Sequence, residues 1–231
     1  MNSKYSGFLT ILLIVIIIAI IGIIGFLGFK YYQTYMVKTN SEEFVDTFGE
    51  QTQNSSNKNN NTNTTPSNNN GEFEGVNEGA NNSTPSDGSS SQIERPKYNG
   101  YYTTGTIEIP TTNLKSPILA RSEYSPSALE TAVVELYGPG LNEIGITTIS
   151  GHNYRNGTFF SNNKKLKVGD KIFITDFKGK RLSYTIYEKF EADENYADYM
   201  VKDTQGAIEV ALSTCTDDAK ARIIILARAD V

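Results

Sequence analysis

The pattern of apolar and polar positions divides the chain into three parts. An uncharged, almost wholly apolar run covers residues 5–29. A polar tract rich in Asn, Ser, Thr and Gly covers residues 50–97. From residue 98 to the end, short apolar segments are separated by Gly, Asn and Pro. This last pattern is typical of a compact domain built from short β-strands.

The apolar run predicts a transmembrane anchor over residues 8–29, after a short flank at 1–7. About 20 helical residues cross the roughly 30 Å hydrocarbon core of a bilayer. A cleaved signal peptide is the alternative, but its apolar core is usually about 7–15 residues long and is followed by a small-x-small site. No such site follows here. The sequence therefore favours an uncleaved, single-pass anchor.

Residues 30–49 form a juxtamembrane segment, and residues 50–97 are predicted to be a disordered linker. Between residues 50 and 92 the only large apolar side chains are Phe73 and Val76, which bury too little surface to offset the entropy of ordering the chain. Such a tether would span about 40 Å. We expect residues 1–90 to contribute no core, so a fragment beginning near Ser91 should fold alone.

The final segment, 98–231, predicts an all-β domain. Alternation of apolar and polar residues indicates strands near 104–110, 116–119, 144–150, 170–177, 181–190, 208–215 and 222–228. A capping-box pattern from Ser127 to Glu130 predicts a helix that Gly138 and Pro139 end. Seven or eight short strands with one or two short helices predict a closed, seven- or eight-stranded β-barrel.

The candidate chemistry centres on Cys215, the only cysteine of the chain. A lone thiol forms no intramolecular disulfide and no cysteine cluster for a metal. Alternation places Ala211, Ser213 and Cys215 on one face of a strand, as a floor of small side chains. A turn over 216–220 would return Arg222 to Cys215, with Arg228 roughly 20 Å further along the same face.

His152 is the only histidine, and it follows another predicted strand. A thiol, an imidazole and a guanidinium can serve as nucleophile, proton carrier and oxyanion donor in acyl transfer. Spacing alone leaves open the alternative of a buried thiol and a surface histidine without contact.

The segment Leu-Ser-Thr-Cys at 212–215, followed by Arg222, resembles the sortase signature, in which a Thr-Leu-x-Thr-Cys strand end precedes an arginine on the next strand. Segments 105–110, 151–153 and 166–170 are similar to sortase segments in the same order. The likeness covers about residues 98–231. Ala211 departs from the usual Thr. With no inserted lid ahead of the domain, the chain resembles the compact branch of classes A, D and E.

The resemblance implies a sortase-type barrel acting as a cysteine transpeptidase. Cys215 would cleave a Leu-Pro-x-Thr-Gly-like sorting signal between Thr and Gly, and the amine of a peptidoglycan precursor or another amine acceptor would resolve the thioacyl intermediate. His152 would carry protons and Arg222 would hold the carbonyl or oxyanion. Ala211, Ser213 and Thr214 would contact the substrate. The partners would be surface proteins bearing a C-terminal sorting signal.

Two other functions remain open from the sequence: a related thiol hydrolase without transpeptidation, and a tethered, non-catalytic barrel that binds wall peptides. No cofactor is expected. Some sortases bind calcium beside an acidic loop, so weak calcium candidates are Glu191, Asp193, Glu194 and Asp198, although a solvated loop is favoured. The net charge of −5 and the lack of a basic aromatic stripe argue against nucleic acid. We expect a monomer in the membrane of a Gram-positive-like bacterium, with the catalytic domain extracellular.

Overall fold

A computed structural model describes residues 3–57 and 95–231, and most of the predicted linker lies outside these residues. A long helix α1 precedes nine strands and a short helix α2. The helices are α1 (Ser3–Asn57) and α2 (Pro126–Thr131). The strands are β1 (Lys97–Tyr98), β2 (Tyr101–Ile109), β3 (Leu114–Leu119), β4 (Val133–Tyr137), β5 (Gly145–Ser150), β6 (Lys171–Asp176), β7 (Arg181–Ala192), β8 (Ile208–Cys215) and β9 (Arg222–Ala229).

Eight of these strands form a closed barrel. Their order is β2-β3-β4-β5-β8-β9-β7-β6, and β6 pairs again with β2 to close it, while β1 adds to the edge at β2. The pairs β3–β4 and β5–β8 are parallel and the others are antiparallel. The predicted fold class, a closed barrel with few helices, is confirmed.

The region around α2 differs from the sequence prediction. The helix ends at Thr131 instead of continuing to Gly138, and its N-cap is Ser125, whose hydroxyl accepts a hydrogen bond from the amide of Ala128 at 3.2 Å. The following residues form β4, which lies between β3 and β5. Val133 there is fully buried. Its β-branched side chain suits a strand packed on both sides, so tertiary packing overrides the apparent helical pattern.

Strands β8 and β9 are buried on both faces, which explains their nearly continuous apolar sequence. Inside the barrel, Leu212 and Ile225 join the main core. Outside it, Ala211, Ile224 and Leu226 form a second apolar cluster that residues of the loop after β7 cover. The two strands that carry the predicted catalytic residues are thus held from both sides.

The apolar part of α1 is exposed throughout residues 8–29. This helix is long and apolar enough to cross a membrane, and its most apolar stretch of 18 residues has a mean hydropathy of 3.3. The helix then continues without interruption to Asn57, into the segment predicted as linker.

Beyond the apolar run, α1 docks on the barrel. Phe48 is 1% exposed and Val45 is 8% exposed. The ring of Phe44 meets that of Tyr98 edge-on at 5.2 Å, and the Ser41 hydroxyl lies 3.2 Å from the Tyr98 hydroxyl. The expectation that residues 1–90 contribute no core is therefore wrong.

We expect a fragment of residues 31–231 to have a higher free energy of unfolding than one of residues 91–231. Within the longer fragment, Phe48→Ala should lower that free energy, because truncating a buried Phe typically costs about 3–5 kcal/mol. Urea unfolding measures both effects. Glu43→Ala, on the exposed side of the same helix, is the matched control. Equal stability of the two fragments would contradict the docking.

Candidate active site

The antiparallel pairing of β8 with β9 brings the predicted thiol and guanidinium together. Cys215 is the register partner of Arg222, and Nη1 of Arg222 donates a hydrogen bond to the Cys215 Sγ. Both side chains are partly exposed. The pairing of Cys215 with Arg222 that the sequence predicts is therefore confirmed. The positively charged guanidinium of Arg222 lies next to the Cys215 sulfur.

The turn between these strands is closed by its own hydrogen bonds. The amide of Thr216 donates to the carbonyl of Ala221 at 2.9 Å. The Thr216 hydroxyl donates to the Asp218 carboxylate at 2.6 Å, and the same carboxylate accepts from the amide of Lys220 at 3.2 Å. These bonds fix the length of the turn, and with it the pairing of Cys215 with the residue opposite.

The loop carrying His152 follows β5 and is tied to the end of β8 on both sides of the histidine. The Thr214 hydroxyl donates to the carbonyl of Gly151 at 2.7 Å. The Asn153 side-chain amide donates to the carbonyl of Cys215 at 3.0 Å. The backbone of His152 is thus held beside the strand end that carries the thiol.

The His152 loop also packs against aromatic and aliphatic side chains of the barrel and of the loop itself. The imidazole and the ring of Tyr154 have centroids 4.9 Å apart, and the amide of Phe160 donates to the carbonyl of His152 at 3.1 Å. A Cβ at Gly151 would lie 2.8 Å from a methyl group of Val133. Only glycine allows this close approach, so the entry of the chain into the loop is narrowly defined.

Asp217 joins three segments around the site. Its carboxylate accepts from Lys164 Nζ at 2.5 Å and from the Asn153 side chain at 2.9 Å. The hydrogen bond from Lys164, and to a smaller extent the one from Asn153, hold the pKa of Asp217 below its usual value. This carboxylate therefore stays ionised and links the turn after Cys215 to the loop of His152. Sequence reasoning missed it, because its partners lie far apart along the chain.

The predicted substrate-binding residues are buried. Ala211 is 0% exposed in the outer cluster, which includes Tyr199 and Met200. Ser213 is 6% exposed and Tyr199 is 5% exposed, and burial raises the pKa of Tyr199, although the Ser213 side chain acts in the opposite direction. Thr214 is 2% exposed and points to the histidine loop. Part of the expected open floor is thus covered, and a role of these residues in substrate binding stays a prediction.

Arg228 is engaged elsewhere. Its Nε and Nη2 donate to the Glu209 carboxylate at 3.0 and 2.7 Å, and that carboxylate also accepts from Tyr187 and Lys202. Burial disfavours the charged form of Glu209, but these three partners hold its pKa below the usual value. Arg228 therefore neutralises a buried carboxylate at the opposite end of β9 from the thiol.

The four weak calcium candidates lie at the end of β7 and in the acidic loop after it. In the part of the chain that is described, no group of three or more His, Cys, Asp and Glu side chains could hold an ion. Asp193 instead accepts a hydrogen bond from the amide of Asn195 at 2.9 Å. Calcium binding by Glu191, Asp193, Glu194 and Asp198 stays a prediction.

A family model of the sortase domain matches residues 107–230, more than half of the chain and nearly the whole barrel. The chain belongs to the sortase family. The match includes the strand end of Cys215, the loop of His152 and the strand of Arg222. The predicted family membership is confirmed, and sortases are cysteine transpeptidases.

Solved sortase structures agree with this assignment. A sortase D5 transpeptidase of Clostridium perfringens superposes with a TM-score of 0.51 at 26% identity, over 56% of this chain and 80% of that chain. Sortase A from Corynebacterium diphtheriae gives a TM-score of 0.51 at 26% identity, over 60% and 62%. Sortase C-1 from Actinomyces oris, at 23% identity and a TM-score of 0.50 over 55% and 73%, shares the fold. Among curated proteins no significant match was found.

Proposed function

We propose that this sortase is a membrane-anchored cysteine transpeptidase that cleaves a Leu-Pro-x-Thr-Gly-like sorting signal between Thr and Gly. It joins the Thr carbonyl to a cell-wall amine. The observation that carries the proposal is the hydrogen bond from the Arg222 guanidinium to the Cys215 sulfur, next to a loop that holds the only histidine. Nucleophile, oxyanion donor and proton carrier thus come from three adjacent segments.

In the first half-reaction the Cys215 thiolate attacks the carbonyl carbon of the Thr residue. The charge that forms on the carbonyl oxygen is met by N–H groups of Arg222, which lies beside the sulfur and offers five donors in a planar fork. The imidazolium of His152 gives its proton to the departing Gly nitrogen. The C–N bond breaks, and a thioester between Cys215 and Thr remains.

In the second half-reaction an amine attacks the thioester carbonyl. His152, now neutral, takes a proton from this amine, and Arg222 again stabilises the oxyanion. The C–S bond breaks, which restores the thiolate and leaves the Thr carbonyl in a new amide bond. A peptidoglycan precursor or another wall amine would be the acceptor, and surface proteins with a C-terminal sorting signal would be the donors.

The length and apolar composition of α1 support attachment of the protein to the membrane. We propose that residues 8–29 cross the membrane once and that the barrel lies on the extracellular side of a Gram-positive-like bacterium as a monomer. This arrangement places the enzyme where exported proteins and wall precursors meet. Nucleic acid is not a proposed partner, because the chain has a net charge of −5.

The reaction type is tested by the products formed from a small library of Leu-Pro-x-Thr-Gly-like peptides, with and without triglycine as the amine. With triglycine, we expect the fragment ending in Thr to appear as an amide of triglycine. Without an amine, we expect water to release the same fragment as a free acid, at a lower rate. Mass spectrometry distinguishes the two products. Hydrolysis alone at saturating amine would identify a thiol hydrolase instead, and binding of peptides without cleavage would identify a non-catalytic receptor.

A further inference from the structure

We propose that α1 is a rigid strut that holds the barrel against the membrane, with the His152 end facing the lipid headgroups. This inference rests on the membrane anchoring in the proposed function. It replaces the picture of a barrel on a long tether with one of fixed height and orientation. Three features of the structure support it: the stiffness of α1, the order of its contacts with the barrel, and the depth of its first polar residues.

The strut is continuous between the apolar run and the docked segment. The sequence from Phe29 to Phe48 contains neither Gly nor Pro, the residues at which helices usually kink. The docked end is fixed by the burial of Phe48 and by the ion pair of Asp46 with Lys115. A helix anchored at one end and packed against the barrel at the other transmits its orientation to the barrel.

The contacts along α1 follow a definite order. The side chains nearest the apolar run, Lys30, Gln33 and Thr34, face the histidine end of the barrel. Together they line a cavity of about 410 Å³ with residues of α2 and of the loop after β5, namely Glu130, Tyr154, Asn156, Thr158 and Phe159. Contacts with Tyr98 and Lys115 come only further along the helix, from Ser41 and Asp46.

The position of this cavity relative to the membrane follows from helix geometry. At about 1.5 Å per residue, Lys30 to Thr34 lie within about 8 Å of Phe29 along the helix axis. Each headgroup layer is roughly 5–8 Å thick. Tyr31 and Tyr32 are exposed on the same turn, as interfacial aromatic residues are. The cavity therefore lies at the level of the headgroups, and so does Tyr154, whose ring lies 4.9 Å from the His152 ring in a tilted arrangement.

The opposite end of the barrel points away from the membrane. Glu143 precedes β5, whose six residues lead towards His152. At about 3.3 Å per residue, this strand separates the two ends by roughly 20 Å. Glu130 and Glu143 are both exposed. Glu130 therefore marks the end of the barrel nearer the membrane and Glu143 the end farther from it, and both sites carry the same residue type.

The test uses the full chain in phospholipid vesicles, with Cys215→Ala as the background so that no other thiol is present. Glu130→Cys and Glu143→Cys are each labelled with the same fluorophore, and the quenching by spin-labelled headgroups is measured. We expect the label at position 130 to be quenched several-fold more strongly than the label at position 143. Equal quenching, or stronger quenching at 143, would overturn the proposed orientation.

Two controls separate the parts of the argument. Adding Phe48→Asp to both labelled variants should release the barrel and remove the difference in quenching. A zero-length carbodiimide cross-link between Asp46 and Lys115, found by mass spectrometry in the vesicle-bound protein, reports docking directly, and Asp46→Asn should abolish it. A protein that does not float with vesicles would overturn the anchoring together with this inference, whereas flotation with equal quenching overturns the orientation alone.

Discussion

Replacing Cys215 by alanine is expected to abolish both acyl transfer and thiol labelling while the barrel stays folded. Cys215 is the only thiol of the chain, so a methanethiosulfonate reagent should add once to the native protein and not at all to the variant. The side chain is partly exposed at a strand end, so its truncation leaves no large cavity. The measurements are product formation, labelling stoichiometry by mass spectrometry, and the melting temperature.

A sorting-signal peptide should protect Cys215 from the reagent, because the thioacyl intermediate occupies the sulfur. Cys215→Ser, which keeps the size of the side chain, is the control that separates loss of chemistry from loss of folding. Activity that survives in a folded Cys215→Ala protein would contradict the thioacyl mechanism.

The strands that carry the site could be predicted because period-two alternation determines both their faces and their register. Once β8 is read as ending at Cys215 and the turn as a short polar one, the position of Arg222 follows from strand spacing alone. The closing turn confirms this, since Thr216 and Asp218 hold its length through side-chain bonds that are typical of such turns.

What covers the outer face of these strands could not be predicted. Alternation shows that Ala211 points away from the barrel interior. Tyr199 and Met200 come from a loop without periodicity, so no sequence pattern indicates that they form a cluster with Ala211. The same holds for Glu209, whose position on the outer face is clear but whose partners lie on three separate segments.

The docking of α1 was missed for a different reason. Val37, Phe44 and Phe48 recur at helical spacing, and this stripe alone would have indicated an amphipathic helix. The strongly apolar run before this stripe and the polar tract after it favour an anchor followed by a linker. The stripe also reveals no partner, because a helix face can pack on any apolar surface and the receiving patch near Tyr98 is formed only when the barrel closes.

The two arginines of β9 are expected to have opposite effects when replaced. Arg222→Ala should lower kcat/KM at least a hundredfold with little change in melting temperature, because removing one preorganised oxyanion donor typically costs 10²–10³ in rate. Arg222→Lys should recover little, since an ammonium cannot reproduce the planar fork of donors. Arg228→Ala should keep kcat/KM within a few-fold of the wild type, because Arg228 bonds Glu209 at the far end of the strand.

Arg228→Ala should instead lower the melting temperature, since the buried Glu209 carboxylate would lose two of its hydrogen bonds. Adding Glu209→Gln to Arg228→Ala removes the buried charge and should restore part of the loss, which would assign the effect to that carboxylate. The measurements are kcat/KM with a sorting-signal peptide and an amine, and thermal unfolding of each variant. An inactive Arg228→Ala beside an active Arg222→Ala would mean that the guanidinium on the Cys215 sulfur does not serve the reaction, and the proposed oxyanion donor would then be wrong.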